Sequence, residues 1–218
     1  MKINLLEPLE RLPYFTFEGF KQVIGADEAE TQRARELVSQ WSKRGHLIRL
    51  KRGVYMTRRF YEFHRNEASF APAVSAILLP QSYVSLEYVL QRAGVLTEVT
   101  YPVTAITPKN TRQVKNPVGT FIYRHIRRNL YTGFVQNEFY GVLFSQATVA
   151  KALFDYVYLR PLPRSLRTHK YDLAEDLRLN IDLLSSKDWN EFVDYVELSA
   201  SPKMSFISEN FRRTVWQP

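Results

Sequence analysis

The chain of 218 residues contains no cysteine. This excludes disulfides, thiolate nucleophiles and every zinc site built on cysteine, and it fits a reducing compartment. Glycine is scarce, at eight residues, and none sits in the spacing of a phosphate-cradling loop or a dinucleotide fingerprint. The four histidines, His46, His64, His125 and His169, include no pair four residues apart and no carboxylate at zinc-like spacing. The pattern therefore predicts no metal and no cofactor. No apolar run approaches the roughly 18 residues of a membrane span, and the opening segment interleaves acids with its leucines instead of building the apolar core of a signal peptide. A soluble, cytoplasmic protein is expected, with no membrane contact.

A catalytic constellation is also missing. Ser82 and Ser85 lack the Gly-Ser and paired-aspartate arrangement that a nucleotidyltransferase needs for metal-bound phosphate, while Asp172, Glu175 and Asp176 read as an exposed acidic helix start. Lys151 and Asp155, four apart on an expected helix, read as a simple pair worth a few tenths of a kcal/mol. The expectation is a protein that is not an enzyme.

Acids are almost missing from one stretch, and here the sequence becomes informative. Residues 31–65 carry ten Lys/Arg against Glu36 and Glu62 alone, so this window holds a charge of +8, equal to the net charge of the whole chain. Residues 1–30 contribute −3 and residues 66–218 contribute +3. A basic excess confined to 35 residues is the electrostatic footprint of an anionic partner such as nucleic acid.

Periodicity gives that window a shape. Leu5, Leu6, Leu9 and Leu12 predict a short first helix, with Pro8 tolerated in its first turn. Thr16 predicts the cap of a second, whose apolar residues are Phe17, Phe20, Val23 and Ile24 and whose stop is Gly25. Asp27 and Glu30 have capping-box spacing and open a third helix over 27–44 with the stripe Ala34, Leu37, Val38 and Trp41. Its opposite face holds Gln32, Glu36, Ser39 and Lys43, flanked by Arg33 and Arg35. The segment 46–56 reads as a β-hairpin turning at Lys51-Arg52-Gly53. Three helices followed by a basic hairpin is the order of a winged helix-turn-helix, in which the third helix enters the major groove and the hairpin flanks the backbone. The DNA-contacting residues expected on these elements are Thr31, Gln32, Arg33, Arg35, Ser39, Lys43, Arg49, Lys51 and Arg52. Trp41, on the apolar stripe, is expected in the core rather than stacked on a base.

The segment Thr57 to Arg65 lacks the composition of a flexible linker, so a DNA-binding domain over 1–65 and a second domain over 66–218 are expected to pack together. The second domain reads as α+β. Helices are expected over 68–79 and 85–93, the latter capped by Ser85, followed by strands at 102–107, 119–126, 130–135 and 139–144 in a small, mostly antiparallel sheet. A buried helix from about 145 to 159 and helices near 171–180, 187–199 and 203–214 complete it.

The run Arg44-Gly-His-Leu-Ile-Arg-Leu-Lys-Arg-Gly-Val-Tyr-Met56 resembles the winged-helix domain of the AbiEi antitoxin family. Three further segments are similar to that family in the same order. They are Ser82-Tyr-Val-Ser-Leu-Glu-Tyr-Val-Leu-Gln-Arg-Ala-Gly-Val95, Gly119-Thr-Phe-Ile-Tyr-Arg-His-Ile126 and Ser145-Gln-Ala-Thr-Val-Ala-Lys-Ala-Leu-Phe-Asp-Tyr-Val-Tyr158. The resemblance covers roughly residues 14–160. It implies an autorepressor that binds inverted repeats in its own promoter as double-stranded DNA, acts there as a homodimer, and neutralises a nucleotidyltransferase-like toxin, directly or indirectly, within a toxin–antitoxin operon of the phage-resistance type. Glu36 on the exposed helix face departs from the family pattern. The alternative is a protein-interaction module that binds a partner protein through its C-terminal domain without sequence-specific DNA binding.

Overall fold

The structure, a computed structural model, describes residues 5–98, 101–161 and 171–214. His169 and the first four residues lie outside the described residues. The fold is mixed α and β, with a small antiparallel sheet near the N-terminus and a larger mixed sheet beyond it.

The N-terminal leucines form a 3-10 turn, Glu7–Leu9, instead of the expected helix. Leu12 turns out to solvent while Leu6 and Leu9 pack inward, so the four leucines do not form one buried helical face. Strand β1 (Phe15–Thr16) follows, then helix α1 (Phe17–Ile24). The Thr16 hydroxyl accepts from the Gly19 amide at 3.1 Å to cap α1, and Gly25 ends it in the left-handed region at φ +66°. Helix α2 (Thr31–Lys43) starts four residues later than the capping-box spacing predicts. Asp27 Oδ1 does accept from the Glu30 amide at 3.0 Å, but the motif closes a separate turn over 27–30 and no side chain caps Glu30. At its other end, His46 N donates to Trp41 O and Gly45 N to Ser42 O, with Gly45 at φ +77°, a Schellman ending that aims the chain into the hairpin.

Strands β2 (Leu47–Lys51) and β3 (Val54–Thr57) form that hairpin, with β1 added beside β3 to give the order β1-β3-β2. Its two faces belong to two cores. Leu47 packs with Phe15, Phe20, Ala34, Val38 and Trp41, whereas Ile48, Leu50, Val54 and Met56 pack into the large core of the rest of the chain. Trp41 is a core residue, its ring edge-on to Phe20 with centroids 5.6 Å apart. Helix α3 (Arg58–His64), capped by Thr57, buries Phe60 in the large core.

Beyond α3 come α4 (Phe70–Leu78), β4 (Tyr83–Val84), α5 (Glu87–Arg92), β5 (Val103–Thr107), β6 (Arg112–Asn116), β7 (Gly119–His125), β8 (Phe134–Phe139), β9 (Val142–Ala147), α6 (Val149–Leu159), α7 (Leu173–Asp176), α8 (Ser186–Ser199) and α9 (Pro202–Thr214). The sheet is larger and less antiparallel than the sequence predicts. Its six strands run in the order β6-β7-β5-β4-β9-β8, and β4–β9 and β5–β7 pair in parallel. Strand β6 was not foreseen because its polar residues alternate on an exposed edge. Residues 128–130 form a 3-10 turn, so the expected strands at 130–135 and 139–144 start later, as β8 and β9.

The sheet carries helices on both faces. On one, Tyr123 donates to Ser75 O of α4 at 2.9 Å; on the other, Tyr83 donates to Asp155 of α6 at 2.9 Å. Ser85 does not cap α5. Leu86 stands at the N-cap with φ +61°, and the Ser85 hydroxyl reaches across to Asp155 at 2.8 Å. Thr148 caps α6, and the residues before it belong to β9.

Candidate nucleic-acid interface

The helical period along α2 sends Ala34, Val38 and Trp41 into the core and leaves Arg33, Arg35, Glu36, Ser39 and Lys43 in solvent. On the hairpin, Arg49 pairs in register with Tyr55 and lies on the face turned toward α2. Between helix and hairpin a groove of about 430 Å³ opens, lined by Arg35, Ser39 and Lys43 from one side and Arg49, Arg52 and Tyr55 from the other. No carboxylate lines it. Arg35, Lys43, Arg49 and Arg52 form no ion pair among the described residues. Four like charges facing one concavity repel one another, and low-dielectric walls focus their positive field outward. An anion entering the groove relieves that repulsion.

Gly53, at φ +73°, permits the tight turn that places Arg52 at the tip. Asn116, the last residue of β6, donates to Leu50 O at 3.1 Å and so tethers the hairpin to the large sheet.

Of the nine residues expected to contact DNA, five line this groove: Arg35, Ser39, Lys43, Arg49 and Arg52. Three sit at the start of α2 and engage neighbours. Arg33 pairs with Glu30 at 3.3 Å, Gln32 donates to Glu36 at 3.3 Å, and Thr31 donates to Asp27 O at 3.4 Å. All three contacts are exposed and weak.

Lys51 is elsewhere. Strict alternation would put it on the face of Arg49, but the register shifts between these residues, so Lys51 pairs with Val54 and turns to the opposite side. Its ammonium donates to Ile77 O at 2.6 Å and Leu78 O at 3.1 Å, the last carbonyls of α4, where the helix dipole favours a cation. Burial there lowers its pKa.

Two features were missed by sequence reasoning. Residues 99–137 hold no acid and six Lys/Arg, a run hidden by averaging over 66–218; of these, Arg112 and Lys115 are exposed on the edge strand β6. The second is the depth of the Lys151–Asp155 pair: the pairing expected from the four-residue spacing is present, but both side chains are fully buried. Asp155 Oδ1 takes the Lys151 ammonium, Oδ2 accepts from Tyr83 and Ser85, and the ammonium sits over the rings of Phe154, Tyr195 and Tyr83 at 4.9, 5.4 and 5.5 Å. Burial pushes the Asp155 carboxyl up and the Lys151 ammonium down, and their mutual attraction opposes both shifts. The segments quoted for the family resemblance supply Tyr83, Ser85, Lys151 and Asp155; the four-residue spacing signals the Lys151–Asp155 pair, but nothing in the sequence signals that Tyr83 and Ser85 meet it.

Among the described residues no group of His, Asp and Glu is arranged to hold a metal, and no helix is long and apolar enough to cross a membrane. No protein-family model matches this chain, and no curated protein matches it.

Proposed function

We propose that this chain is a cytoplasmic DNA-binding autorepressor with a winged-helix N-terminus. Helix α2 enters the major groove, and the β2–β3 hairpin holds the phosphate backbone. The observation that carries this reading is the acid-free groove in which Arg35, Lys43, Arg49 and Arg52 face one concavity without ion-pair partners among the described residues. A protein that neutralises several phosphates with such cations releases counterions, so affinity falls steeply with salt. The antitoxin part of the proposal, including the AbiEi kinship and a nucleotidyltransferase-like toxin as counterpart, rests on the four ordered sequence segments and on no geometry.

The test is fluorescence anisotropy of the protein titrated into a duplex of its own upstream region, with a scrambled duplex alongside and salt varied. A preference of about a thousandfold for the native duplex is expected. Equal, salt-sensitive binding to both duplexes reduces the groove to a non-specific anchor, and no binding at moderate salt ends the DNA reading.

A second reading, a module that docks on a partner protein, is favoured by one feature. Phe206 of α9 is 56% exposed in a shallow apolar groove at the α8–α9 junction. Its test is pull-down of the protein encoded next door with the wild type and with Phe206→Asp; capture lost in the variant supports it.

A further inference from the structure

A second concavity, of about 450 Å³, lies between the end of α3, helix α5 and the turn joining β6 to β7. That volume falls within the range of small-molecule sites, which combine an apolar bed with a few polar groups that orient the ligand. The bed is built from the large core. Phe70, Val103 and Phe121 line the groove and are buried. The polar groups are two arginines held by rings. Arg92 lies 5.0 Å from the centre of the Tyr88 ring and donates to its hydroxyl at 3.1 Å. Arg65 lies 5.7 Å from the Tyr61 ring. The groove has a single carboxylate, Glu67, and His64 engages it. At the rim stands Tyr101, 92% exposed, a large ring that buries almost nothing in the protein itself.

We propose that this groove binds a nucleotide, a planar base carrying a phosphate. A guanidinium held near a tyrosine ring, as Arg92 is by its hydrogen bond to the Tyr88 hydroxyl, is oriented before the ligand arrives and still presents N–H donors in the fork geometry that suits phosphate oxygens. An exposed aromatic face stacks on any base. A bare anion leaves Tyr101 in water, and a neutral ring leaves the arginines without a counter-charge; a phosphorylated base answers both. The same chemistry comes from a free mononucleotide or from one residue of a single strand. The proposal is independent of the DNA reading, because no residue lines both grooves.

The test uses the full chain without duplex DNA. Isothermal titration calorimetry is run with AMP, GMP, CMP and UMP, with the matching nucleosides, with inorganic phosphate, and with a tetranucleotide of the preferred base. At least one mononucleotide is expected to bind with Kd below about 1 mM and at least about tenfold more tightly than its nucleoside or phosphate. Arg65→Gln, Arg92→Gln and Tyr101→Ala, all at exposed positions, should each weaken it about tenfold with the thermal midpoint unchanged. A tetranucleotide that binds more than about tenfold more tightly than the mononucleotide assigns the ligand to single-stranded nucleic acid, and similar affinity assigns it to the free nucleotide. Absence of binding by every nucleotide, phosphate binding as tightly as nucleotide, or binding that survives all three substitutions overturns the proposal.

Discussion

The chain places its cations in two opposite ways. In the α2–hairpin groove, Arg35, Lys43, Arg49 and Arg52 stand in or near solvent without ion-pair partners among the described residues. Between the large sheet and α6, Lys151 is wholly buried, with one carboxylate, two hydroxyl donors on that carboxylate and three rings around it. An exposed cation costs little to keep and is available to a ligand. A buried one holds the fold only while its partner is intact, since the lost hydration must be offset by the pair itself. The first region should therefore tolerate substitution in folding and, under the DNA reading, be sensitive in binding; the second should be the reverse.

The largest effect expected from breaking this contrast is that of Asp155→Ala, which leaves Lys151 buried without a counter-charge. A loss of about 3–5 kcal/mol is expected in urea unfolding, and the double variant Lys151→Met with Asp155→Leu should recover much of it. Recovery no better than the single variant would show that the hydroxyl network, not the charge, is what the fold requires.

Next comes a buried group without a charge. Burial pushes the Tyr123 phenol up to about 12, against its ordinary 10. The folded state thus holds this proton more tightly than the unfolded chain, so stability is lost as pH rises from 10 toward 12, by about 2–3 kcal/mol in total. Urea unfolding at about pH 9 and about pH 11.5 should show a shallower alkaline loss in Tyr123→Phe than in wild type. Parallel losses would mean that the phenol is hydrated in the native state.

Gly53→Ala tests the hairpin tip. An alanine at φ +73° meets no neighbour within 4 Å, so the expected cost, about 1 kcal/mol, is backbone strain alone. Smallest in stability are Arg49→Ala and Arg52→Ala, each within about 0.5 kcal/mol of wild type. Under the DNA reading, each should nonetheless lower the slope of log affinity against log salt by about 1. Lys51→Ala sharpens the comparison, because it should leave that slope alone and destabilise the C-terminus of α4 instead.

Much of the α2–hairpin region was legible because its signals are local. The Thr16 cap, Gly25, the Ala34–Val38–Trp41 stripe and Gly53 each act within a turn or two of chain, and each stands where its chemistry implies. Where a local signal failed, a neighbour competed for it. Asp27 and Glu30 closed a turn rather than a helix, and Ser85 gave its hydroxyl to Asp155 rather than to an amide. The large sheet was less legible because its pairings are distant in sequence. Strand β4 lies beside β9, some sixty residues away, and β6 on the edge buries too little to leave an alternating apolar pattern.

The sequence by itself determined where the positive charge is concentrated, which helix face meets the core and where the hairpin turns, because charge count, helical period and glycine's backbone freedom are properties of short segments. Only the tertiary structure decided what each cation does. One register shift takes Lys51 from the groove to the end of α4, and one parallel pairing brings Tyr83 and Ser85 onto Asp155, closing water away from Lys151. The side of a sheet on which a side chain lies, and the depth at which it is buried, depend on strands remote in sequence, and burial decides whether a charge supports the fold or remains free to bind.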